Sequence, residues 1–450
     1  MTLIEQIVAT LEQWKEQIGG DPHEGSKQSD PITLMAGMEE AAQALGRQVA
    51  RLALSALLED WGTGYEGSRR PCVCGAKQQF ERYAERSLRT LIGEVAYTRA
   101  YYRCRTCGAG AFPLDEQIQQ TSREISPGVE RTVALLGAHL SFQETERVML
   151  ELTGVSLSAR QIETVAESVG AKAEQLQQQE EQQAATQGLA EACGPNRPRP
   201  RTFIIEMDGV QVGLQDGSWQ EAKCGVIYEL SQRIEVSKGR WELLKRYRCV
   251  MRDNVHAFRK RLWALCIKAG ITEHDLIVVI GDGADWIDLT TELLFPGALR
   301  ILDYYHASQR VWTVGNLRWG EGSVKARKWA ERMLSQLKRG QLSRVLRSMS
   351  KLRVEGEEQE KIKTAAIKYL RTRQNQMRYG EYQKAGLPIG SGAVESTCKY
   401  AVTTRCKQSG MRWSEPGVDA ILALRSFVLN DRLEELCPRP TMTLDWGMAA

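Results

Sequence analysis

Hydrophobic positions change their period along the chain, and each change predicts a different kind of element. Over residues 1–62, most clearly from Thr33 to Trp61, Leu34, Met38, Ala41, Leu45, Val49, Leu52 and Ala56 recur at three- and four-residue steps. That spacing predicts helix with one apolar face, suited to packing or dimerisation. Several short helices are predicted from Ser126 to about Gly170. Ser126-Pro127 opens one, with serine as cap and proline in the first turn; Phe142–Leu152 is amphipathic and stops at Thr153-Gly154; a serine-capped helix then starts at Ser158. Residues 171–192, rich in Gln, Glu and Ala, continue as helix. Gly194-Pro-Asn-Arg-Pro-Arg-Pro-Arg201 can form no regular element and predicts a domain boundary.

Beyond that boundary the pattern becomes that of strands: Thr202–Leu214, a hairpin turn at Asp216-Gly217, Glu221–Leu230 and Arg246–Met251. An amphipathic helix, Asn254–Ala269, leads to a strand over 276–282 and another over 299–303. Four consecutive aliphatics, Ile277 to Ile280, predict a strand covered on both faces, as in a parallel sheet. Three meandering antiparallel strands followed by right-handed crossovers is the ribonuclease-H-like order. Long basic helices over 317–380 would interrupt that domain.

The expected organisation is therefore multidomain: an N-terminal helical region (1–62), a zinc-ribbon-like module (63–120), a helix-turn-helix region (121–192), an α/β ribonuclease-H-like catalytic domain in two parts (202–316 and 386–435), and an all-α basic insertion (317–385). A chain of 450 residues is long enough for several cores. No apolar run approaches ~18 residues, which predicts no membrane span, and Met-Thr-Leu-Ile-Glu-Gln lacks the features of a secretory signal. Eleven cysteines, mostly scattered, fit a reducing cytosol. A net charge of +4 is modest, but residues 321–380 carry sixteen Lys/Arg against six Glu, a segregation expected of a surface facing a polyanion. A solvated helix face would show the same excess.

Two constellations precede the strand domain. Cys72-Val-Cys74-Gly and Cys104-Arg-Thr-Cys107-Gly place two thiol pairs, each followed by glycine, on either side of a strand-like stretch. Such pairs suit tetrahedral thiolate coordination of structural Zn²⁺, with glycine allowing the chain to turn around the metal. The first pair is spaced Cys-x-Cys rather than the commoner Cys-x-x-Cys. The second constellation is helix, glycine turn and capped helix over 142–168, a helix-turn-helix pattern with Arg160 and Gln161 leading the DNA-reading helix; any helical hairpin shares it.

Acids mark the ends of the predicted strands: Asp208, Asp282 and Asp303, with Glu395 after Gly390-Ser-Gly392. First and fourth strands adjoin in this order, so Asp208 and Asp282 can share a site. Carboxylates in apolar strands need neutralising, and a pair of Mg²⁺ (or Mn²⁺) ions would do so while serving phosphodiester chemistry. Taken singly, Asp208-Gly209 reads as a turn, Asp282-Gly283 as a strand end, and Glu395 with Lys399 as a surface pair.

Glu206-Met-Asp-Gly209, Gly281-Asp-Gly-Ala-Asp-Trp286, Asp303-Tyr-Tyr-His306, Gly390-Ser-Gly-Ala-Val-Glu-Ser396 and Gly410-Met-Arg-Trp413 together resemble bacterial insertion-sequence DDE transposases of the ISKra type, relatives of the Mutator-like group. The match spans about 200–415, and residues 1–120 more loosely. It implies that Asp208, Asp282 and Glu395 are a metal-binding triad, with Asp285 and Asp303 as alternatives for the second acid. It also implies that Asp303-x-x-His306 is the motif following that acid, with His306 orienting a phosphate or strand. Lys399, Arg405, Lys407 and Arg412 would hold DNA backbone. The implied activity is hydrolysis at the terminal inverted repeats and attack of the freed 3′-hydroxyl on target DNA, by a homo-oligomer in the bacterial cytoplasm at the nucleoid. A structure-specific nuclease of the same fold, or a domesticated DNA-binding protein, are the other readings.

Overall fold

Successive side chains of Thr202–Gly213 (β5) point to opposite faces, and this decides which side of the sheet does what. Phe203, Ile205 and Met207 pack with Phe258, Leu262 and Cys266 of the helix Val255–Lys268, whose N-cap is Asn254. Ile204, Glu206 and Asp208, the intervening positions, belong to the opposite face. The computed structural model describes residues 3–18, 31–118, 124–189 and 200–439. The chain divides into two units between Ala166 and Glu167, inside the helix Ala159–Ala185. The predicted boundary at 194–201 lies mostly outside the described residues. Glu180 and Glu181, late in that helix, ion-pair with Lys268, Arg432 and Arg261, so this part of the helix belongs to the second unit.

In the first unit, helices Leu3–Ile18 and Pro31–Trp61 precede an antiparallel sheet of order β1-β2-β3-β4: Arg69–Pro71, Lys77–Thr90, Gly93–Cys104 and Gly110–Ala111. Along Pro31–Trp61 the predicted apolar face is only partly covered: Leu52 and Ala56 are half-buried, whereas Met38 is 60% exposed. Asp115 ties the short helix Pro113–Gln117 to the sheet, accepting from Arg86, Arg99 and the Tyr97 hydroxyl. Helices Pro127–His139 and Phe142–Thr153 and the start of Ala159–Ala185 enclose Val129, Val133, Met149, Val155, Leu157, Ile162 and Val165. Ser141 and Glu144 form a reciprocal capping box, and Gly154 ends the middle helix at φ 70°, a conformation glycine adopts without strain.

The second unit is built on a five-stranded sheet of order β11-β10-β5-β6-β9, with β6 Trp219–Glu229, β9 Tyr247–Met251, β10 Leu276–Gly281 and β11 Leu299–Leu302. β5, β6 and β9 are antiparallel neighbours; β10 runs parallel to both β5 and β11. Val278, Val279 and Ile280 are all buried, as a strand covered on both faces requires. A separate hairpin, β7 (Arg233–Ser237) with β8 (Arg240–Leu243), was not legible in the pattern because most of its side chains are exposed. Helices Val324–Lys338, Leu342–Lys351 and Glu357–Thr372 follow the helix Tyr304–Trp319. They bury Trp329, Met333, Val345, Met349 and Leu370 while Lys325, Arg327 and Lys328 stay outward. No helix among the described residues is long and apolar enough to cross a membrane.

Candidate functional site

Strand register sets three acids level. Ile280 pairs with Glu206 across β10 and β5, and two steps further on Asp282 comes level with Asp208. Gly281 pairs with Leu302 across β10 and β11, and one step further Asp282 is level with Asp303. Neighbouring strands lie about 4.8 Å apart, so the three acids form a row. Asp282 and Asp303 stand one residue past the carboxyl ends of β10 and β11, where open α/β sheets bind ligands, and Asp208 stands beside them partway along β5.

Asp303 is fully buried and its oxygens are taken by the protein. Oδ1 caps the helix Tyr304–Trp319 by accepting from the Tyr305 and His306 amides, and Oδ2 accepts from the Ser391 amide at 2.7 Å and from the Ser391 hydroxyl. That hydroxyl also lies 3.4 Å from Glu395 Oε1, linking Glu395 to the row. Asp208 and Asp282 are less occupied. Asp208 Oδ1 accepts from Gly209 N at 2.7 Å, and the Cys398 thiol approaches Oδ2 at 3.7 Å; Asp282 Oδ1 accepts from Ala284 N at 2.8 Å. Asp285 turns away, its side chain fully exposed and 3.7 Å from Arg373.

Glu395 and Cys398 sit on one helical run, Gly392–Cys406, whose middle, Cys398–Thr403, is wound as a π-helix. Such insertions recur at functional sites because they re-aim the residues on either side. The run is fastened to β5 by Glu206, 1% exposed, which accepts from Val394 N at 2.8 Å and from the Tyr228 hydroxyl at 2.9 Å. Sequence reasoning quoted Glu206 as part of a motif without giving it a role; its signal was a carboxylate on the same strand face as Asp208 inside an apolar run.

Electrostatics follow from this packing. Burial pushes the Asp208 carboxyl above its ordinary value, and the charge of Asp282 adds to the rise. Burial takes Glu206 up to about 7 against the pull of its amide and hydroxyl donors. Burial would raise Asp303 too, but His306 and Ser391 outweigh it and hold that carboxyl below the usual range. His306 Nδ1 stands 3.7 Å from Asp303 Oδ1, an ion-pair distance rather than a good hydrogen bond. Asp303, with Asp282 and Asp208 behind it, raises the His306 pKa. Among the described residues no Lys or Arg ion-pairs with Asp208 or Asp282, and the oxygens of Asp208, Asp282 and Glu395 do not all lie within 4.8 Å of one another.

The helical insertion reaches this site, which the sequence did not reveal. The Tyr369 hydroxyl donates to the Asp282 carbonyl, and Arg373 Nε donates to the Gly283 carbonyl at 3.0 Å. Arg310 and Arg373 lie over the Tyr369 ring at 4.6 and 4.4 Å.

Of the basic residues expected to hold DNA, Lys399, Lys407 and Arg412 are exposed. Lys407 and Arg412 flank the exposed Trp219 ring at 5.8 and 4.8 Å, a basic and aromatic patch. Arg405 is a correction: it is fully buried, 5.0 Å over the Trp413 ring, and cannot touch a backbone outside the protein. A long apolar stem lets arginine fill a core position, so its charge misled the sequence reading.

In the first unit the four cysteines converge. Their Sγ atoms all lie within 4.8 Å of one another, with Cys72 3.6 Å from Cys107 and 3.5 Å from Cys74, and Cys74 3.7 Å from Cys104. A tetrahedral site with Zn–S of about 2.3 Å requires edges of about 3.8 Å, so the cluster fits a metal such as zinc. Two backbone turns build it: Cys72 N donates to Ala76 O and Cys104 N to Ala109 O, with Gly75 at φ 86° and Gly108 at φ 77°. Amides of Cys107 and Thr106 help draw the Cys104 thiol down to about 6.

The expected DNA-reading residues divide. Gln161 Oε1 accepts from Ser158 N at 3.0 Å while Ser158 Oγ accepts from Gln161 N, so Gln161 closes a capping box. Arg160 projects, its side chain 82% exposed beside Glu163.

Comparison with known proteins finds relatives that share one family name. A UPF0236 protein in the vanSb 3′ region of Streptococcus gallolyticus is 24% identical over 458 residues, covering 96% of this chain and 88% of its own. A UPF0236 protein of Caldanaerobacter subterraneus, whose name joins eleven locus tags, is 24% identical over 404 residues, covering 88% and 77%. Another from that organism, joining four tags, is 23% identical over 403 residues, with the same coverage. The model of the uncharacterised protein family UPF0236 matches residues 32–435, and the chain belongs to that family.

Proposed function

We propose that the chain is a DDE transposase with a ribonuclease-H-like catalytic core, cutting DNA at the ends of an insertion sequence and joining the freed 3′-hydroxyl to target DNA. The observation that carries this reading is the level placement of Asp208 on β5 and Asp282 just past the end of the adjoining parallel strand β10, with the Glu395 helix fastened to β5 beside them. The strand order β9-β6-β5 antiparallel, then β10 and β11 parallel, supports the ribonuclease-H-like assignment. Relatives whose names join many loci of one genome support a mobile element.

Asp208, Asp282 and Glu395 are hard oxygen donors with no Lys or Arg ion pair among the described residues, which fits two Mg²⁺ or Mn²⁺ ions. When bound, those ions supply activation of the attacking oxygen and neutralisation of the leaving one. Asp282 is preferred over Asp303, whose oxygens are spent on capping and on Ser391, and over Asp285, which is turned outward. His306, its pKa raised by Asp303, orients a phosphate beside the row. Arg160 of the helix-turn-helix and the Lys407–Arg412–Trp219 patch hold end DNA, and the four thiols hold a structural zinc. The active form is a homo-oligomer at the nucleoid.

Purified protein with Mg²⁺ and the native element's end DNA is expected to nick at the repeat boundary, and with pre-cut ends to join them to a target plasmid. Cleavage without joining would identify a structure-specific nuclease. Binding without either, unaltered in Asp282→Ala, would identify a domesticated DNA-binding protein.

A further inference from the structure

We propose that the cavity between the β7–β8 hairpin and the Gly390–Ala393 turn binds one unpaired nucleotide of a DNA strand, its base against Trp241 and Tyr305. The proposal rests on the DNA reading above and adds a subsite to it. The cavity has a volume of about 700 Å³, within the ~300–1,000 Å³ of small-ligand pockets. Its floor is Glu206 and Tyr228, both buried, and the backbone of Gly390, Gly392 and Ala393. Its walls carry two large rings left largely in solvent, Trp241 at 44% and Tyr305 at 63% exposure.

Cations stand beside the rings. The Arg233 guanidinium covers one face of Trp241 at 3.9 Å, and Lys338 Nζ lies 4.9 Å from the neighbouring Tyr304 ring. A nucleobase takes an aromatic face and its phosphate takes a cation, and this pairing is how proteins hold single-stranded nucleic acid. A phosphate alone would have no use for exposed rings. An apolar ligand would meet Arg233, Lys338 and a buried carboxylate. The Glu206 oxygens accept from the Tyr228 hydroxyl and the Val394 and Ala393 amides, and a carboxylate's remaining lone pair can receive a base N–H.

Location gives the subsite its use. Glu206 and Asp208 are two residues apart on one face of β5, about 7 Å along the strand. A nucleotide seated over Glu206 therefore lies next to the acid row, and the strand that carries it passes over Asp208. Swinging a base out of the stack costs least where the duplex is already open, as it is at a cut or fraying end.

Fluorescence anisotropy with the full chain in metal-free buffer, where no strand is cut, tests this. The probes are a blunt duplex, the same duplex with one unpaired 3′-nucleotide, and that duplex with an abasic 3′ residue. The unpaired nucleotide is expected to bind about tenfold tighter than the other two. Trp241→Ala and Tyr305→Ala are each expected to erase the gain with blunt-duplex affinity unchanged, and Trp241→Phe to keep it. Equal binding of the three probes, or a gain that survives both alanine variants, overturns the subsite while leaving the DNA reading in place. Trp241-dependent binding of deoxyadenosine monophosphate with no preference among the duplexes also overturns it, assigning the cavity to a free nucleotide. Failure to bind any DNA removes the DNA reading and the subsite together.

Discussion

Val394 donates its backbone N–H to Glu206 Oε2 at 2.8 Å, joining residues 188 positions apart in the chain. The bond fastens the helical run that carries Glu395 and Cys398 to the strand that carries Asp208. Glu206→Ala would strand both that amide and the Tyr228 hydroxyl in a buried place, each at roughly 1–3 kcal/mol. We expect a loss of about 2–4 kcal/mol in urea unfolding, with Glu206→Gln, which keeps one acceptor, recovering much of it. An alanine variant as stable as the parent would show that the helix is held elsewhere.

Asp208→Ala, Asp282→Ala and Glu395→Gln are each expected to abolish strand cleavage while end-DNA binding, measured by gel shift, stays intact. Asp285→Ala should cleave normally, since that side chain points outward. Asp303→Ala should instead lower the melting temperature, because it releases a helix cap and the Ser391 donors. Cleavage by Asp282→Ala with none by a folded Asp303→Asn would move the second acid to Asp303.

Arg405→Ala should act on the fold rather than on DNA. Truncating a fully buried side chain stacked on Trp413 costs roughly 3 kcal/mol by analogy with large-to-small core changes. Lys407→Ala and Arg412→Ala should leave stability alone, weaken binding to all duplexes alike and lower the log–log salt slope by about 1 each. A salt slope unchanged in both would remove the Trp219 patch from the DNA surface.

Acid stability should depend on Asp275. Burial would raise its carboxyl, but Arg201, with Nη2 at 2.7 Å from Oδ2, and the Thr272 donors hold it below the ordinary value. A depressed folded pKa contributes stability that is complete above the unfolded value near ~3.9 and is lost as pH falls through the folded one. Asp275→Asn should therefore destabilise at neutral pH and flatten the stability profile below about pH 4. An unchanged acid limb in chemical denaturation would argue that the pair contributes nothing.

Metal analysis of protein purified without chelator should find about one zinc per chain, given four thiols with tetrahedral spacing. Cys104→Ser is expected to lose it and to loosen the β1–β4 sheet, seen as faster proteolysis between residues 69 and 111. Zinc retained at full stoichiometry in Cys104→Ser would place the metal elsewhere.

What the chain dictates locally was legible in it. Serine, asparagine and glycine placed the helix ends at Ser126, Ser158, Asn254 and Gly154, because capping is settled within four residues. Strand-like apolar stretches marked β5, β6, β9, β10 and β11, and the unbroken run Ile277–Ile280 marked β10 as covered on both faces, since such a strand must be apolar along its length. Non-local geometry was legible only as far as the strand order that sets Asp208 beside Asp282. Arg405 reads as a surface cation until its stack on Trp413 is seen, and Gln161 reads as a base contact until it closes on Ser158. The hairpin Arg233–Leu243 has too few buried positions to leave a periodic signature. Only the tertiary structure could set Asp208, Asp282 and Asp303 level, bring Tyr369 onto the Asp282 turn, and give Glu206 its partners. Register and packing are decided by contacts between segments dozens to hundreds of residues apart, and no local pattern encodes those distances.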